Sequence, residues 1–304
     1  MISCRRTAWF VVLALTLVAS RGVEAGTWEP TTWNGERALM ATDSGWTAVV
    51  SVERGRLVSI ARENGGENLL FAPATRRGAA GWGGHRLWLG PQTEWPGGWP
   101  PPAAWEASAA QRVEVRGAEL ELSLPPSGDG WPRLTREYFW REGKLHCIGR
   151  AEGGARAAQL IHILQVPRSA RVTLKTATSV TVPRGYVQLH LGRGPEPVKV
   201  FERPMHAMEK AGSVEFSFAG HSEKLGVLPQ PIDARIGEAG LKVTRGAASG
   251  LSEATPDEGF VTQVYLGDER TTLIELEQLS ALMEPGGQAS FEIIVEPGLV
   301  DGQR

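Results

Sequence analysis

The chain has 304 residues, of which 22% are charged, with 32 Lys and Arg against 34 Asp and Glu. A net charge of −2 without any basic stripe argues against nucleic acid and against an anionic membrane surface as partners. Only one of the two cysteines, Cys147, lies beyond residue 25, and this excludes an internal disulfide in that part of the chain.

The first 25 residues have the pattern of a secretory signal peptide. Arg5 and Arg6 precede the apolar run Ala8–Ala19, and Val23–Ala25 fits a cleavage site with small residues. The apolar run is too short to remain as a membrane anchor. We therefore expect a secreted or periplasmic protein whose mature part, 26–304, has 29 basic and 33 acidic residues, a net charge of −4.

Short β-rich segments bounded by turn residues recur through the mature part, and no window has the apolar spacing and caps of a helix. The predicted strands, in chain order, are Thr47–Val52, Leu57–Ala61, Leu69–Phe71, Arg86–Leu89, Arg112–Val115, Glu119–Ser123, Thr135–Trp140, Lys144–Gly149, Ala157–Val166, Arg171–Thr176, Tyr186–Leu191, Val198–Phe201, Val214–Phe218, Lys224–Leu228, Leu241–Thr244, Phe260–Leu266, Thr272–Leu279 and Ala289–Val295. So many strands predict an all-β fold, either one large antiparallel sandwich or a closed barrel. No linker or fixed-period repeat divides them, so we expect a single domain over residues 26–304.

Residues 81–106 form a stretch rich in Trp, Gly and Pro, and it is the first candidate for a binding site. It holds five of the eleven Trp and the polar side chains of His85, Arg86, Gln92 and Glu94. Indole rings with polar groups among them suit a small polar molecule with apolar faces, such as a sugar. The alternative is that the Trp rings only fill a core. The residues that we expect to bind ligand from this stretch are Arg86, Trp88, Gln92, Trp95 and Trp99.

The segment Thr271–Glu292 carries the second candidate. Glu275 and Glu277 are two apart on a predicted strand, so their carboxylates project from one face, opposite Ile274 and Leu276. A carboxylate in a sugar pocket can act as a general base. The alternative is a solvated strand face.

The six histidines have no spacing typical of a metal site, and no nucleotide-binding or nucleophile motif is present, so we expect neither metal nor cofactor. His85 lies beside Arg86 in the Trp-rich stretch and is a candidate functional residue. His162 lies in the middle of an apolar strand, where a lone histidine is more often a satisfied core residue than an acid.

Several short motifs together resemble a known family. The segments GGHRLWLGPQ and WPGGWPPPAAWE look like the characteristic stretch of the DUF4380 proteins, of the galactose mutarotase-like (aldose 1-epimerase-like) superfamily. Glu67–Leu70 lies ahead of this stretch, and Lys224–Gly226, Leu273–Gln278 and Glu284–Gly287 come after it, all in the expected order. The resemblance spans roughly residues 40–297. It implies a β-supersandwich with a sugar site on the concave face of one sheet.

In mutarotases a late-strand Glu takes the proton of the anomeric hydroxyl and a His protonates the ring oxygen. The matching Glu is Glu277, with Glu275 as the alternative, and Arg86 matches a sugar-contacting Arg. The mutarotase block Asn-His-x-Tyr-Phe-Asn is replaced by Gln159–Gln165. His162 can be the acid if its face of the strand is the concave one, whereas the other face would bring Gln165 into the site and favour binding.

Two main hypotheses follow for function. The first is an exported protein that binds a sugar or oligosaccharide and interconverts its anomers, an isomerase with Glu277 as base and His85 or His162 as acid. The second is a glycan-binding module without chemistry, and a third possibility is cleavage of a glycosidic linkage by the two carboxylates. After signal cleavage we expect no membrane partner, and the oligomeric state stays open.

Overall fold

The structure is a computed structural model that describes residues 26–75, 81–176, 178–179, 182, 184–190, 198–200, 207–210, 212–218, 220–254 and 259–300. The predicted signal peptide, residues 1–25, lies outside these residues, as do the predicted strand ends at Leu191 and Phe201. In the part of the chain described, no helix is long and apolar enough to cross a membrane.

The described chain forms 21 strands in three sheets, and its neighbouring strands pair antiparallel, which confirms the all-β prediction. The first sheet has the order β1-β2-β3-β4, with β1 Glu29–Trp33, β2 Glu36–Asp43, β3 Trp46–Ser51 and β4 Arg56–Arg62. The second has the order β13-β12-β16-β19-β20-β10-β5, with β5 His85–Gly90, β10 Ala158–Pro167, β12 Val187–His190, β13 Val198–Val200, β16 Glu223–Val227, β19 Thr262–Leu266 and β20 Leu273–Met283.

The third sheet has ten strands in the order β14-β15-β11-β17-β18-β21-β9-β8-β7-β6. Its strands are β6 Arg112–Arg116, β7 Glu119–Ser123, β8 Arg133–Arg141, β9 Lys144–Glu152, β11 Arg171–Lys175, β14 Ala207–Lys210, β15 Ser213–Ser217, β17 Ile232–Ile236, β18 Ala239–Ser249 and β21 Gln288–Leu299. The only helical turns among the described residues are a 3₁₀ turn at Gln92–Glu94 and the four-residue helix α1, Ala103–Glu106.

One hydrophobic core joins the three sheets, because a single cluster of buried side chains includes residues from all of them. The seven-stranded and ten-stranded sheets meet where Leu87 of β5 packs beside Gly149 of β9, at which a Cβ atom would come within 2.8 Å of a Leu87 methyl group. The four-stranded sheet is fastened to the ten-stranded sheet by the indole of Trp140, which donates to the carbonyl of Ala41 at 3.2 Å.

The predicted strand pattern was wrong in several details, and β14 and β17 were not among the predicted strands. Leu69–Phe71 is not a strand, because its backbone hydrogen bonds go to two different strands. Leu69 N–H donates to Ile60 O of β4, and Phe71 N–H donates to Gln165 O of β10. The hairpin of β1 and β2 was missed, although its turn, Asn34-Gly35, has the positive φ angles of 50° and 80° that favour these two residue types.

Candidate functional site

One face of the seven-stranded sheet collects polar side chains from adjacent strands. Arg86 of β5 pairs with Ile163 of β10, and Ile163 pairs with Glu277 of β20. Residues that are directly paired across strands project from the same face of a sheet. Arg86 and Glu277 are therefore on one face, and Trp88 and Glu275, two residues away on their strands, share it.

The next row across this face adds three more polar residues. Gln165 of β10 pairs with Glu275, Glu275 pairs with Tyr265 of β19, and Tyr265 pairs with Lys224 of β16. The predicted projection of Glu275 and Glu277 from one face therefore holds, but the face is not a solvated one, since their exposed fractions are 8% and 2%.

A cavity of about 260 Å³ opens on this face. Its lining residues are Arg86, Trp88, Gln92, Trp99, Lys224, Tyr265, Thr271, Leu273, Glu275 and Glu277. Six of the residues named from the sequence are in that set: both glutamates and four members of the Trp-rich stretch. The lining thus combines indole rings on one side with charged groups on the floor.

Both floor carboxylates are ion-paired. Arg86 donates to Glu275 Oε1 at 2.8 Å, and the side-chain amide of Gln165 donates to the same oxygen at 2.6 Å. Lys224 Nζ lies 3.4 Å from Glu277 Oε2. The floor therefore places carboxylate oxygens, which accept hydrogen bonds, beside cations, which donate them.

A third carboxylate, Glu106 of α1, lies behind the wall of the cavity. Its Oε1 accepts from Arg86 at 3.1 Å, and its Oε2 accepts from the Trp88 indole at 3.1 Å. Arg56 is on the far side, 3.4 Å from Oε2. Burial alone would raise the pKa of the Glu106 carboxyl, but the charges of Arg56 and Arg86 outweigh it and hold the pKa below its ordinary value.

The indoles of the Trp-rich stretch divide between core and cavity. Trp95 and Trp105 are buried, and the Trp95 indole donates to Leu89 O at 2.7 Å, so the core interpretation is the better one for both. Trp88 lines the cavity edge-on to Trp99, with ring centres 5.4 Å apart. Trp99 is 51% exposed and presents an open ring at the cavity mouth. Trp95, expected to bind ligand, instead supports these two rings from behind, with centre distances of 5.5 and 6.2 Å.

The loop around the 3₁₀ turn contributes one polar group to the cavity. Gln92 lines it, as expected. Glu94, from the same turn, is exposed and lies 3.6 Å from Arg156, outside the cavity lining.

His85 and His162 lie on the opposite face of the same sheet, between the two large sheets. His85 Nε2 is 3.0 Å from His162 Nδ1, His85 Nδ1 is 3.1 Å from the Tyr138 hydroxyl, and His162 Nε2 is 3.0 Å from Phe291 O. A carbonyl can only accept, so His162 carries its proton on Nε2 and accepts on Nδ1 from His85. The Leu57 N–H approaches the Tyr138 oxygen at 3.4 Å, so the chain runs from backbone to backbone.

Both imidazoles are neutral at physiological pH. Burial lowers the pKa of His162 to about 3, and the positive charges of Arg136 and Arg245 act in the same direction. Burial and the neighbouring His162 hold the pKa of His85 well below its ordinary value. The condition for His162 to act as the acid, that its face of β10 lines the site, is not met. Gln165 is on the cavity face instead.

Five residues of the site were not predicted from the sequence as site residues: Lys224, Tyr265, Thr271 and Leu273, which line the cavity, and Glu106, which lies behind it. Lys224 was noticed only as part of a short motif. Tyr265 could have been found by strand alternation, because it is two residues from Gln263 in an apolar strand. Burial raises the pKa of its phenol, so the hydroxyl stays protonated and able to donate. Ser222 Oγ is 3.0 Å from that hydroxyl.

Comparison with known proteins identifies the architecture. A putative aldose 1-epimerase from Escherichia coli K12 matches with a TM-score of 0.60 and 10% sequence identity, over 86% of this chain and 98% of that one. A galactose mutarotase-like protein from Lactobacillus casei matches at 0.58 and 9%, over 86% and 100%. This chain has the galactose mutarotase-like fold. An aldose epimerase homologue from C. elegans matches at 0.56 and 10%, over 87% and 100%.

Identities this low establish the fold and nothing finer. No family model matches the chain, and no curated protein sequence matches it. Membership of DUF4380 therefore stays a prediction. Within the described residues, no group of three or more His, Cys, Asp or Glu side chains is placed to hold a metal ion.

Proposed function

We propose that this galactose mutarotase-like protein is an exported carbohydrate-binding protein, and that the cavity on the seven-stranded sheet is its sugar site. The observation that carries the proposal is the combination of an open Trp99 ring with two ion-paired carboxylates in one cavity. A sugar ring has an apolar face that packs on an indole, and hydroxyls that both donate and accept. The cavity volume of about 260 Å³ is near the lower end of small-molecule sites, about 300 to 1,000 Å³, which suits one sugar unit.

Binding without chemistry is the function that the geometry favours. A general base must be able to take a proton, and both floor carboxylates already compensate a cation, Arg86 or Lys224. The two imidazoles that were candidates for the acid, His85 and His162, lie on the other face of the sheet. Cleavage of a glycosidic bond would need one protonated carboxyl group, whereas Glu275 pairs with Arg86 and Glu277 with Lys224.

Anomer interconversion is the second candidate, and one observation supports it. Lys224 and Tyr265 are proton donors on the same cavity as Glu277, so either could take the place of the imidazole as acid. We expect NMR exchange spectroscopy on a panel of aldoses and uronic acids to show binding without accelerated exchange. Exchange above the rate in water that disappears in Glu277→Gln would establish the mutarotase instead.

The binding proposal predicts a specific effect of Trp99→Ala. Because Trp99 is half exposed, its removal costs the fold little, whereas the sugar loses its packing surface. We expect affinity to fall about tenfold with an unchanged melting temperature, measured by calorimetric titration with the panel sugars. Met208→Ala, at another half-exposed apolar residue remote from the cavity lining, is the matched control. If no panel sugar binds the wild-type protein, or if Trp99→Ala binds as wild type does, the site is misassigned.

A further inference from the structure

Glu106 makes a set of contacts that the sequence analysis did not anticipate. It is 4% exposed, and the two oxygens of its carboxylate meet three donors. One oxygen accepts from Arg86, and the other accepts from Trp88 and Arg56. Two of those donors, Arg86 and Trp88, line the cavity, so one buried group outside the lining contacts two of the residues inside it.

The local structure is arranged to bring this carboxylate to that position. Helix α1 ends at Glu106, where Arg56 donates to the Glu106 carbonyl at 2.5 Å and Arg136 donates to the Trp105 carbonyl at 3.0 Å. Both guanidinium groups are buried, and this holds the end of the helix in a fixed place. The side chain then has little freedom, because each of its oxygens is already engaged.

Gly81 supplies independent evidence that the contact is closely fitted. Its φ is +60°, and a Cβ there would overlap Glu106 Oε1 and come within 2.9 Å of Arg86 Nη2. Only glycine leaves the space in which this carboxylate and this guanidinium meet. Gly81, at the start of the Trp-rich stretch, therefore leaves room for the carboxylate of Glu106, at its end.

Arg86 is held from two sides as a result. Its Nη1 donates a hydrogen bond to Glu275 on the cavity floor, and its Nη2 donates one to Glu106 behind the cavity wall. A planar guanidinium held at two points keeps one orientation, which a single surface contact would not enforce. The plane of Trp88 is set in the same way, by the hydrogen bond from its indole N–H to Glu106 and by Arg86 at 4.9 Å from its ring centre.

We propose that Glu106 is a positioning residue of the sugar site: it fixes the Arg86 guanidinium and the Trp88 ring in the orientation in which they meet the ligand. The inference rests on the proposed function, since it concerns the same cavity. It also gives the Trp-rich stretch a second role. Most of its indoles are structural, and its terminal carboxylate orders the wall of the site.

The test is Glu106→Gln, which keeps the shape of the side chain and replaces one acceptor oxygen by an NH₂ group. Sugar-free protein labelled with ¹⁵N is examined first, and we expect the Trp88 indole N–H signal to move and the Arg86 side-chain N–H groups to exchange faster with water. Affinity for D-glucose, D-galactose, D-mannose and their uronic acids is then measured, with an expected loss of about tenfold. Glu106→Asp retains the charge but withdraws the oxygens, and we expect the same changes if glutamine prevents folding.

The matched control is Glu36→Gln. Glu36 also pairs with a buried arginine, Arg54, at 2.8 Å, and that guanidinium also packs on indoles, Trp33 and Trp82, but none of these residues lines the cavity. A merely structural Glu106 would behave as Glu36 does, with a lower melting temperature and with unchanged sugar affinities. That result would overturn the inference.

A double-mutant cycle distinguishes action through Arg86 from a general loss of order. If Glu106 works partly through Arg86, Glu106→Gln lowers the affinity less in an Arg86→Gln background than in the wild-type protein, the remaining loss coming from Trp88. Additive losses would overturn the inference. Wild-type protein that binds none of the sugars would refute the proposed function alone, because the water-exchange rate of the Arg86 side-chain N–H groups in sugar-free protein still decides whether Glu106 orders that side chain.

Discussion

Lowering the pH from about 8 to about 5 is expected to remove about 2 kcal/mol from the free energy of unfolding through His162, and His85 adds to this loss. Both imidazoles have a folded-state pKa below the ordinary value of 6.5, to about 3 for His162. The unfolded chain binds protons at these groups below pH 6.5, while the folded protein does not. Stability is therefore full above pH 6.5 and falls as the pH drops from 6.5 towards 3.

Urea denaturation at several pH values measures this effect. The measurement is made on a variant with His146→Gln and His221→Gln, so that two histidines that pair with carboxylates elsewhere do not contribute to the pH dependence. The ¹³C NMR signals of the His85 and His162 rings supply a direct check. We expect them to keep the shifts of neutral imidazole down to pH 5 in the folded protein. Rings that titrate near pH 6.5 would contradict the buried hydrogen-bonded chain from Leu57 to Phe291.

Replacement of Arg86 by Met is expected to have the second large effect, on stability and binding together. The substitution removes the guanidinium between Glu275 and Glu106, and leaves two buried carboxylates short of a cation. Breaking a buried ion pair from one side costs about 3 to 5 kcal/mol. We also expect sugar affinity to fall below detection in calorimetric titration, because the cavity loses a donor and the partner that orients Glu275.

Arg54→Met is the control for this prediction. Arg54 is as buried as Arg86 and pairs with Glu36, but it does not line the cavity. We expect it to destabilise the protein by less than Arg86→Met, because its one acidic partner is partly exposed, while sugar affinity stays within about twofold of wild type. Equal losses of affinity in the two variants would show that stability alone limits binding.

The fold class could be predicted from the sequence because β-rich segments and turn residues alternate along the whole chain. The placement of Glu275 and Glu277 on one face followed from the two-residue period of a strand, which no tertiary contact changes. The same rule, applied to the neighbours His85 and Arg86, already excludes a shared face for them. Since Arg86 lines the cavity, His85 must point away from it, and this could have been stated without the structure.

The orientation of β10 could not be predicted in this way. Nine of its ten residues are buried, so both faces are covered and no alternation of polar and apolar residues marks the side that faces the site. His162 and Gln165 were therefore equivalent candidates until the partner strands were known. Only the pairing of Gln165 with Glu275 on one side, and the bond from His162 to Phe291 on the other, separates them.

The sequence by itself determined the all-β class, the paired glutamates and the Trp-rich stretch that forms one wall of the cavity, because each depends on residue types and spacings within a short segment. The tertiary structure decided which indoles are exposed, which histidines are neutral core groups, and that Lys224, Tyr265 and Glu106 belong with Arg86. These residues are separated in the chain by loops and whole strands. Their meeting depends on sheet order and register, which contacts between distant segments establish and local sequence does not encode.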